Sequence, residues 1–223
     1  MEFSIIDNVD IGVMKDLFNL LIVDDMLVPV SVNELNKFKQ EDISTFCHYG
    51  GFYQLPTLEL IEFLKSEMAR VTNLPSSSIE VASGNGCIGR ALGIRRVDNH
   101  MQNRPDIIES YKAIGTPTVN YGKDVENIDG LEAIKKYKPE IVVGAWNTSK
   151  MNPVTYQGNP LGFDELEMMP LITMYIHIGN ERTHASKKIL LKDYSLKEVR
   201  SEFLVSRSMS RSDNTIYIFT HKA

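Results

Sequence analysis

The first 55 residues read as helices, over 11–27, 32–39 and 43–48. Pro29 closes the first, and Ser31 with Glu34 forms a capping-box pattern at the start of the second. The turn-rich aromatic string Tyr49-Gly50-Gly51-Phe52-Tyr53 follows and reads as a loop, hinge or lid. After Pro56 and Thr57 the apolar positions Leu60, Ile61, Leu64, Met68 and Val71 recur at helical spacing, until Pro75 and three serines break the run. From there short strands and helices alternate. Strands are expected over 79–82, 95–97, 118–121, 141–146 and 174–178. Helices are expected over 88–92, 105–114, 130–137 and, in part, 161–171. The continuous apolar run 141–146 suits the middle of a parallel sheet. Two late apolar segments, 203–206 and 215–220, flank a polar turn and predict an antiparallel hairpin. Alternation of this kind predicts an α/β fold with an open, doubly wound, mostly parallel sheet. The division expected is 1–51 as a helical cap or extension and 52–223 as the sheet domain.

Composition narrows the class. The chain has 223 residues, 43% hydrophobic and 24% charged, close to the average for globular proteins. No stretch reaches the roughly 18 apolar residues of a membrane span. The start MEFSIIDNVD is acidic, unlike a secretory signal. Two cysteines, Cys47 and Cys87, have no metal-ligand spacing and no disulfide framework, which favours a reducing, cytoplasmic setting. The net charge of −5 argues against a dedicated nucleic-acid binder. The charge is uneven, however: residues 181–223 carry nine Lys/Arg against five Asp/Glu. A basic face of this kind suits an anionic partner.

In open α/β sheets, ligands bind beyond the carboxyl ends of the strands. Four such places carry candidate chemistry. After the first sheet strand comes Glu80-Val81-Ala82-Ser83-Gly84-Asn85-Gly86-Cys87-Ile88-Gly89, with a Gly-x-Gly-x-x-Gly spacing. Glycines there permit a sharp turn and close approach of a ligand to the backbone. Asp98 ends the next strand, where a carboxylate can accept hydrogen bonds from vicinal hydroxyls; its plain alternative is an Asx turn. Gly122-Lys123-Asp124-Val125 follows the expected third strand. Trp146-Asn147-Thr148 follows the fourth, and Trp146 is the sole tryptophan. Two ligand classes fit this grammar, a nicotinamide or flavin dinucleotide and S-adenosylmethionine. Glu80 inside the strand, the helix preceding the glycine strand, and the terminal hairpin favour the second.

With these motifs the chain resembles the class I S-adenosylmethionine-dependent methyltransferases over roughly residues 52–223. The resemblance implies a seven-stranded sheet whose last strand is antiparallel. It implies that Glu80, Gly84 and Gly86 lie under the methionine part of the cofactor, with Ala82 and Asn85 of the same loop also binding the cofactor. Asp98 would hold the ribose hydroxyls, with Asn99 beside the adenine. Asp124 would meet the adenine amino group and the Val125 N–H a ring nitrogen. Trp146 would stand near the methyl donor, and Tyr53 and Thr57 near the cofactor's open side. Two departures are visible. Ala82 replaces the first glycine of the fuller motif. Trp146-Asn147-Thr148-Ser149 stands where an Asp/Asn-Pro-Pro-Tyr/Phe amino-methylation motif would, which argues against DNA adenine or glutamine methylation.

Among rim groups, Asn147 and Glu181 are the candidates for catalysis. His177, flanked by Ile176 and Ile178, reads more readily as a core histidine. The expectation is a methyltransferase acting on an unidentified acceptor, small molecule or macromolecule. The alternatives are a binding module for S-adenosylmethionine or a nucleotide without turnover, and an NAD(P)-dependent oxidoreductase.

Overall fold

The computed structural model describes residues 9–151, 158–159 and 162–222. The elements in chain order are α1 (Ile11–Leu21), β1 (Ile22–Val23), β2 (Met26–Leu27), α2 (Val32–Leu35), α3 (Gln40–Tyr49) and α4 (Leu58–Met68). Next come β3 (Ser78–Val81), α5 (Cys87–Leu92), β4 (Arg95–Asp98), α6 (Pro105–Ala113), β5 (Glu126–Asn127), α7 (Gly130–Tyr137) and β6 (Ile141–Ala145). The chain ends with α8 (Glu165–Met168), β7 (Met174–Asn180), α9 (Glu181–His184), β8 (Ser195–Val199) and β9 (Asn214–Thr220).

Seven strands form one sheet in the order β5-β4-β3-β6-β7-β9-β8. The pairs from β5 to β7 are parallel, and β9 runs antiparallel to both β7 and β8. Strand order reverses at β3, whose neighbours are β4 and β6, and that switch point is where an open α/β sheet offers a ligand crevice. The expected doubly wound sheet with an antiparallel last strand is the fold observed.

Several local expectations are corrected. The first helix stops at Leu21 rather than residue 27. Asp24 and Asp25 both take the left-handed conformation, φ 51° and 61°, and turn the chain into the β1–β2 hairpin. Ser31 does cap α2, accepting from the Asn33 N–H, but Glu34 is not its partner. Glu59, from α4, accepts the Ser31 hydroxyl at 2.7 Å and the Val32 N–H at 2.9 Å. Residues 118–121 are not a strand; the third sheet strand is β5. Side chains take the place of a ladder there, since Gln102 Oε1 accepts the Val119 N–H at 2.8 Å and the Tyr121 hydroxyl accepts the Gln102 N–H at 3.1 Å. The partner of β9 is the polar edge strand β8 and not 203–206. The latter segment runs beside residues 53–57, with a bridge between Gln54 and Ser206. Of the expected helix over 161–171, Leu161 lies outside the described residues, and a helix begins at Glu165.

Leu17 and Leu21 of α1, Ile43 and Phe46 of α3, Leu60 and Leu64 of α4, Ile88 of α5, and Ile141, Val143 and Ile176 of the sheet share one hydrophobic cluster. The opposite sheet face, including Ile79, Val142 and Tyr175, packs on α7, α8 and residues after β7. Among the described residues no helix is long and apolar enough to cross a membrane.

Candidate functional site

Beyond the carboxyl ends of β3, β4 and β6 lies a cavity of about 210 Å³. Three non-glycine residues at these strand ends hold positive φ: Ala82 (48°), His100 (49°) and Trp146 (58°). Such conformations cost on the order of 1–3 kcal/mol each and persist where surrounding contacts enforce them. Each bends the chain sharply away from its strand and opens room over the sheet.

The glycine loop forms the floor. Ser83 donates its N–H to the Val97 carbonyl at 3.1 Å, and Gly86 donates to Ser83 at 2.7 Å. At Gly89 a Cβ would stand 2.6 Å from both Glu80 Oε2 and Arg96 Cγ, so only glycine lets α5 lie this close to β3. The Gly89 N–H donates to that Glu80 oxygen at 2.9 Å. Glu80 is buried and lines the cavity. Burial pushes its carboxyl up to about 8, against the opposing pull of the Gly89 N–H and the Arg96 guanidinium. Asp98, the neighbour on β4, is also held above its ordinary value by burial. Its two oxygens accept from the Gly84 N–H at 2.9 Å and the His100 N–H at 3.1 Å. Each keeps acceptor capacity for a further donor.

The roof comes from two segments remote in sequence. Gly51, Phe52, Tyr53 and Gln54 cover one part. The 118–122 segment covers another, tied to the glycine loop by Gly122 N–H to the Gly84 carbonyl at 3.4 Å and Asn85 Nδ2 to the Asn120 carbonyl at 3.5 Å. Tyr111 and Tyr121 contribute aromatic walls. Burial raises both phenols, Tyr121 to about 12.

The β6 tip carries Trp146 and Asn147. The Trp146 indole N–H donates to Gln54 Oε1 at 3.4 Å, and its ring lies 6.0 Å from that of Tyr53. Asn147 is buried and its amide is committed inward. Its Nδ2 donates to the Tyr175 hydroxyl at 3.0 Å, and its Oδ1 lies 2.9 Å from His177 Nδ1. Gly144 makes room for this, since a Cβ there would stand 2.9 Å from Asn147 Oδ1. Behind it the buried Glu165 accepts from Ser149 Oγ at 2.7 Å and pairs with the buried Lys187. His177 and His184 stack edge to face, and burial lowers both, His184 to about 4.

The cavity thus brings together Tyr53, Glu80, Ala82, Gly84, Asn85, Asp98, Asn99, Trp146 and Asn147. Five expected residues do not line it. Gly86 instead caps α5 with φ 75°. Thr57 is buried as the N-cap of α4 and donates to the Phe203 carbonyl at 2.8 Å. Asp124 and Val125 precede the third strand instead of following it, because that strand is β5. Asp124 forms a two-pronged pair with Arg90, at 2.7 and 3.0 Å, which holds its carboxyl below the ordinary value. Glu181 is exposed and paired with Arg200 at 2.7 Å. The acidic residue just past β5 that does line the cavity is Asp129, the N-cap of α7. Its sequence signal was the Asp-Gly step opening a legible helix. Tyr111, Gln102 and Tyr121 had no signal, for no spacing relates them to the glycine loop. Among the described residues no group of three His, Cys, Asp or Glu side chains could hold a metal ion.

No protein-family model matches the chain, and no curated protein matches it. Solved structures show a partial likeness. An rRNA methylase from Streptococcus thermophilus is 11% identical, with a TM-score of 0.42 over 73% of this chain and 97% of that one. The 23S rRNA methyltransferase ErmE is 14% identical, with a TM-score of 0.37 over 72% of this chain and 68% of that one. An uncharacterised protein from Listeria monocytogenes serotype 4b is 12% identical, with a TM-score of 0.37 over 73% of this chain and 66% of that one. The strand order, not these likenesses, defines the fold.

Proposed function

We propose that the cavity binds S-adenosylmethionine and that the chain transfers its methyl group to an acceptor entering past Tyr53 and Trp146. The observation that carries this reading is the pair of buried carboxylates, Glu80 and Asp98, on adjacent strand tips, with a glycine loop between them. A buried carboxyl held up to about 8 gains strongly from a cationic partner. Glu80 therefore suits the ammonium of a methionine moiety, and Asp98 suits vicinal ribose hydroxyls. The polar edges of Asn99 and Asp129 and the rings of Tyr111 and Tyr121 suit a purine.

When bound, the sulfonium supplies an electrophilic methyl group. The chain's work is then alignment and exclusion of water, for which the roof of residues 51–54 and 118–122 is placed. Asn147 has its amide spent on Tyr175 and His177, so it positions the β6 tip rather than moving a proton. Glu181 is held outside the cavity by Arg200. Such a site favours an acceptor whose nucleophile needs no strong general base.

Calorimetric titration with S-adenosylmethionine, S-adenosylhomocysteine and NADH tests the reading. Binding of the sulfur compounds and not of NADH is the expected result. Binding of NADH alone would replace it with the oxidoreductase alternative. Incubation with a labelled methyl donor and a cell lysate then separates transfer, seen as labelled product, from binding without turnover.

A further inference from the structure

The strap between β8 and β9 carries two arginines that form no ion pair among the described residues, and one of them, Arg207, lies over a cavity residue, Tyr53. Seven of the nine arginines pair with a carboxylate: Arg70, Arg90, Arg95, Arg96, Arg104, Arg182 and Arg200. Arg207 and Arg211 are the two that, among the described residues, form no such pair. Both are nonetheless fixed by side chains other than carboxylates. Arg207 Nη2 donates to His48 Nδ1 at 2.9 Å, and its guanidinium lies over the Tyr53 ring at 4.5 Å. Arg211 donates to Gln40 Oε1 and Asn36 Oδ1.

One helix face organises this. Gln40, Ser44 and His48 are spaced by four on α3, so they lie in a row. Gln40 Nε2 donates to the Ser206 and Ser208 carbonyls at 3.1 and 2.6 Å, and Ser44 Oγ to the Arg207 carbonyl at 2.6 Å. The strap is anchored on the other side by Arg207 N–H to the Tyr53 carbonyl at 3.1 Å. A row that holds no carboxylate orders two half-buried cations, and although the charge of Glu202 acts on Arg211, neither arginine has an ion-pair contact among the described residues, which leaves their donors for something else. Tyr53, the ring beneath Arg207, is itself a cavity wall beside Trp146. A cationic edge next to aromatic faces matches a phosphate joined to a planar base.

We propose that Arg207 and Arg211 form a phosphate-binding edge that receives a nucleotide acceptor whose base faces Tyr53 and Trp146. The inference rests on the proposed methyl-transfer reading, since it assigns the acceptor class of that site. The net charge of −5 does not oppose it, because nine of the acids lie in the first 54 residues and the edge is set by local charge.

The test measures fluorescence anisotropy of labelled single-stranded RNA and DNA of about 12 nucleotides, long enough to span a strand-binding groove. AMP and inorganic phosphate serve as competitors, and S-adenosylhomocysteine binding is followed in parallel. Strand binding that AMP displaces and phosphate displaces weakly is expected. Arg207→Gln and Arg211→Gln should each weaken it by roughly tenfold and lower the salt slope by about 1. Arg207→Lys should restore part of the loss, and Arg104→Gln, a paired surface arginine, should change nothing. If AMP binds but neither strand does, the acceptor is a free nucleotide and the edge stands. Equal affinities for wild type and both glutamine variants would overturn the inference, as would no binding of any nucleotide while S-adenosylhomocysteine still binds. Loss of S-adenosylhomocysteine binding in the wild type would instead sink the underlying reading. Thermal melting of Arg207→Gln and Arg207→Lys distinguishes a lost contact from a disordered strap, and affinity lost only by a variant that melts early counts against the edge.

Discussion

Glu80 shows how one carboxyl couples stability to binding. Its folded value is raised from 4.5 to about 8. The folded protein therefore holds a proton the unfolded chain has lost, and this stabilisation is full below 4.5 and disappears as pH rises through about 8. Glu80→Gln keeps the acceptor for Gly89 N–H and removes the titration. We expect its melting temperature to exceed that of the wild type by several degrees at pH ~8 and to match it near pH ~5. Calorimetry in two buffers of different ionisation enthalpy checks the same group. Binding of S-adenosylmethionine near neutral pH should release close to one proton from the wild type and none from Glu80→Gln. Asp98→Ala should weaken S-adenosylhomocysteine binding at least tenfold, because charge-assisted hydrogen bonds are the strong ones; unchanged affinity in a titration would remove Asp98 from the site. These two acids were legible because Glu80 lies inside the strand that leads into the glycine loop and Asp98 ends the next strand. Asp124 was misplaced because its position was counted from a strand that the structure puts elsewhere.

Among elements, the β6 tip depends on a polar core behind it. Asn147, Tyr175, His177, Glu165 and Lys187 join without a route through solvent. Asn147→Ala removes the shorter bonds of a buried tyrosine hydroxyl and a ring nitrogen, leaving them the 3.3 Å contacts among Tyr175, His177 and Glu165, which should cost about 1–3 kcal/mol in urea unfolding. Asn147→Asp puts a charge where burial already lowers His177, and should cost more. Of this network only the burial of His177 was legible. His177 gave only an apolar neighbourhood, and its partners come from separate elements, Asn147 from the tip of β6 and His184 from α9. Strand reading failed for a related reason. Residues 203–206 look like a strand because they are apolar, yet they are apolar because Leu204 and Val205 fill the core beneath residues 53–57. The true edge strand β8 is exposed at nearly every position and so carries no alternation to find.

At the scale of the molecule, the helical extension is not separable by its packing. Leu17, Leu35 and Ile43 lie in the same cluster as Ile88 and Ile176. Differential scanning calorimetry should show one cooperative transition, and a chain starting at residue 52 should lose it; two resolved transitions would contradict this. Stability should also peak near neutral pH. His177 and His184 are held neutral by burial, so their contribution is present above about 6.5 and is lost as pH falls toward about 4. Glu80 acts in the reverse sense across the range from about 4.5 to about 8, and so sets a falling slope above about 6.5. A melting-temperature profile against pH should show both slopes; because the Glu80 contribution falls all the way from about 4.5 to about 8, Glu80→Gln should flatten the alkaline slope and steepen the acid one. The lone tryptophan gives this molecule a further property. With its indole in the cavity wall, held by Gln54 and set against Tyr53 and His184, the whole chain's tryptophan emission originates at one spot. On the proposed reading, filling of the cavity should change the polarity around that single fluorophore, so a titration of unmodified protein should report its own ligation optically.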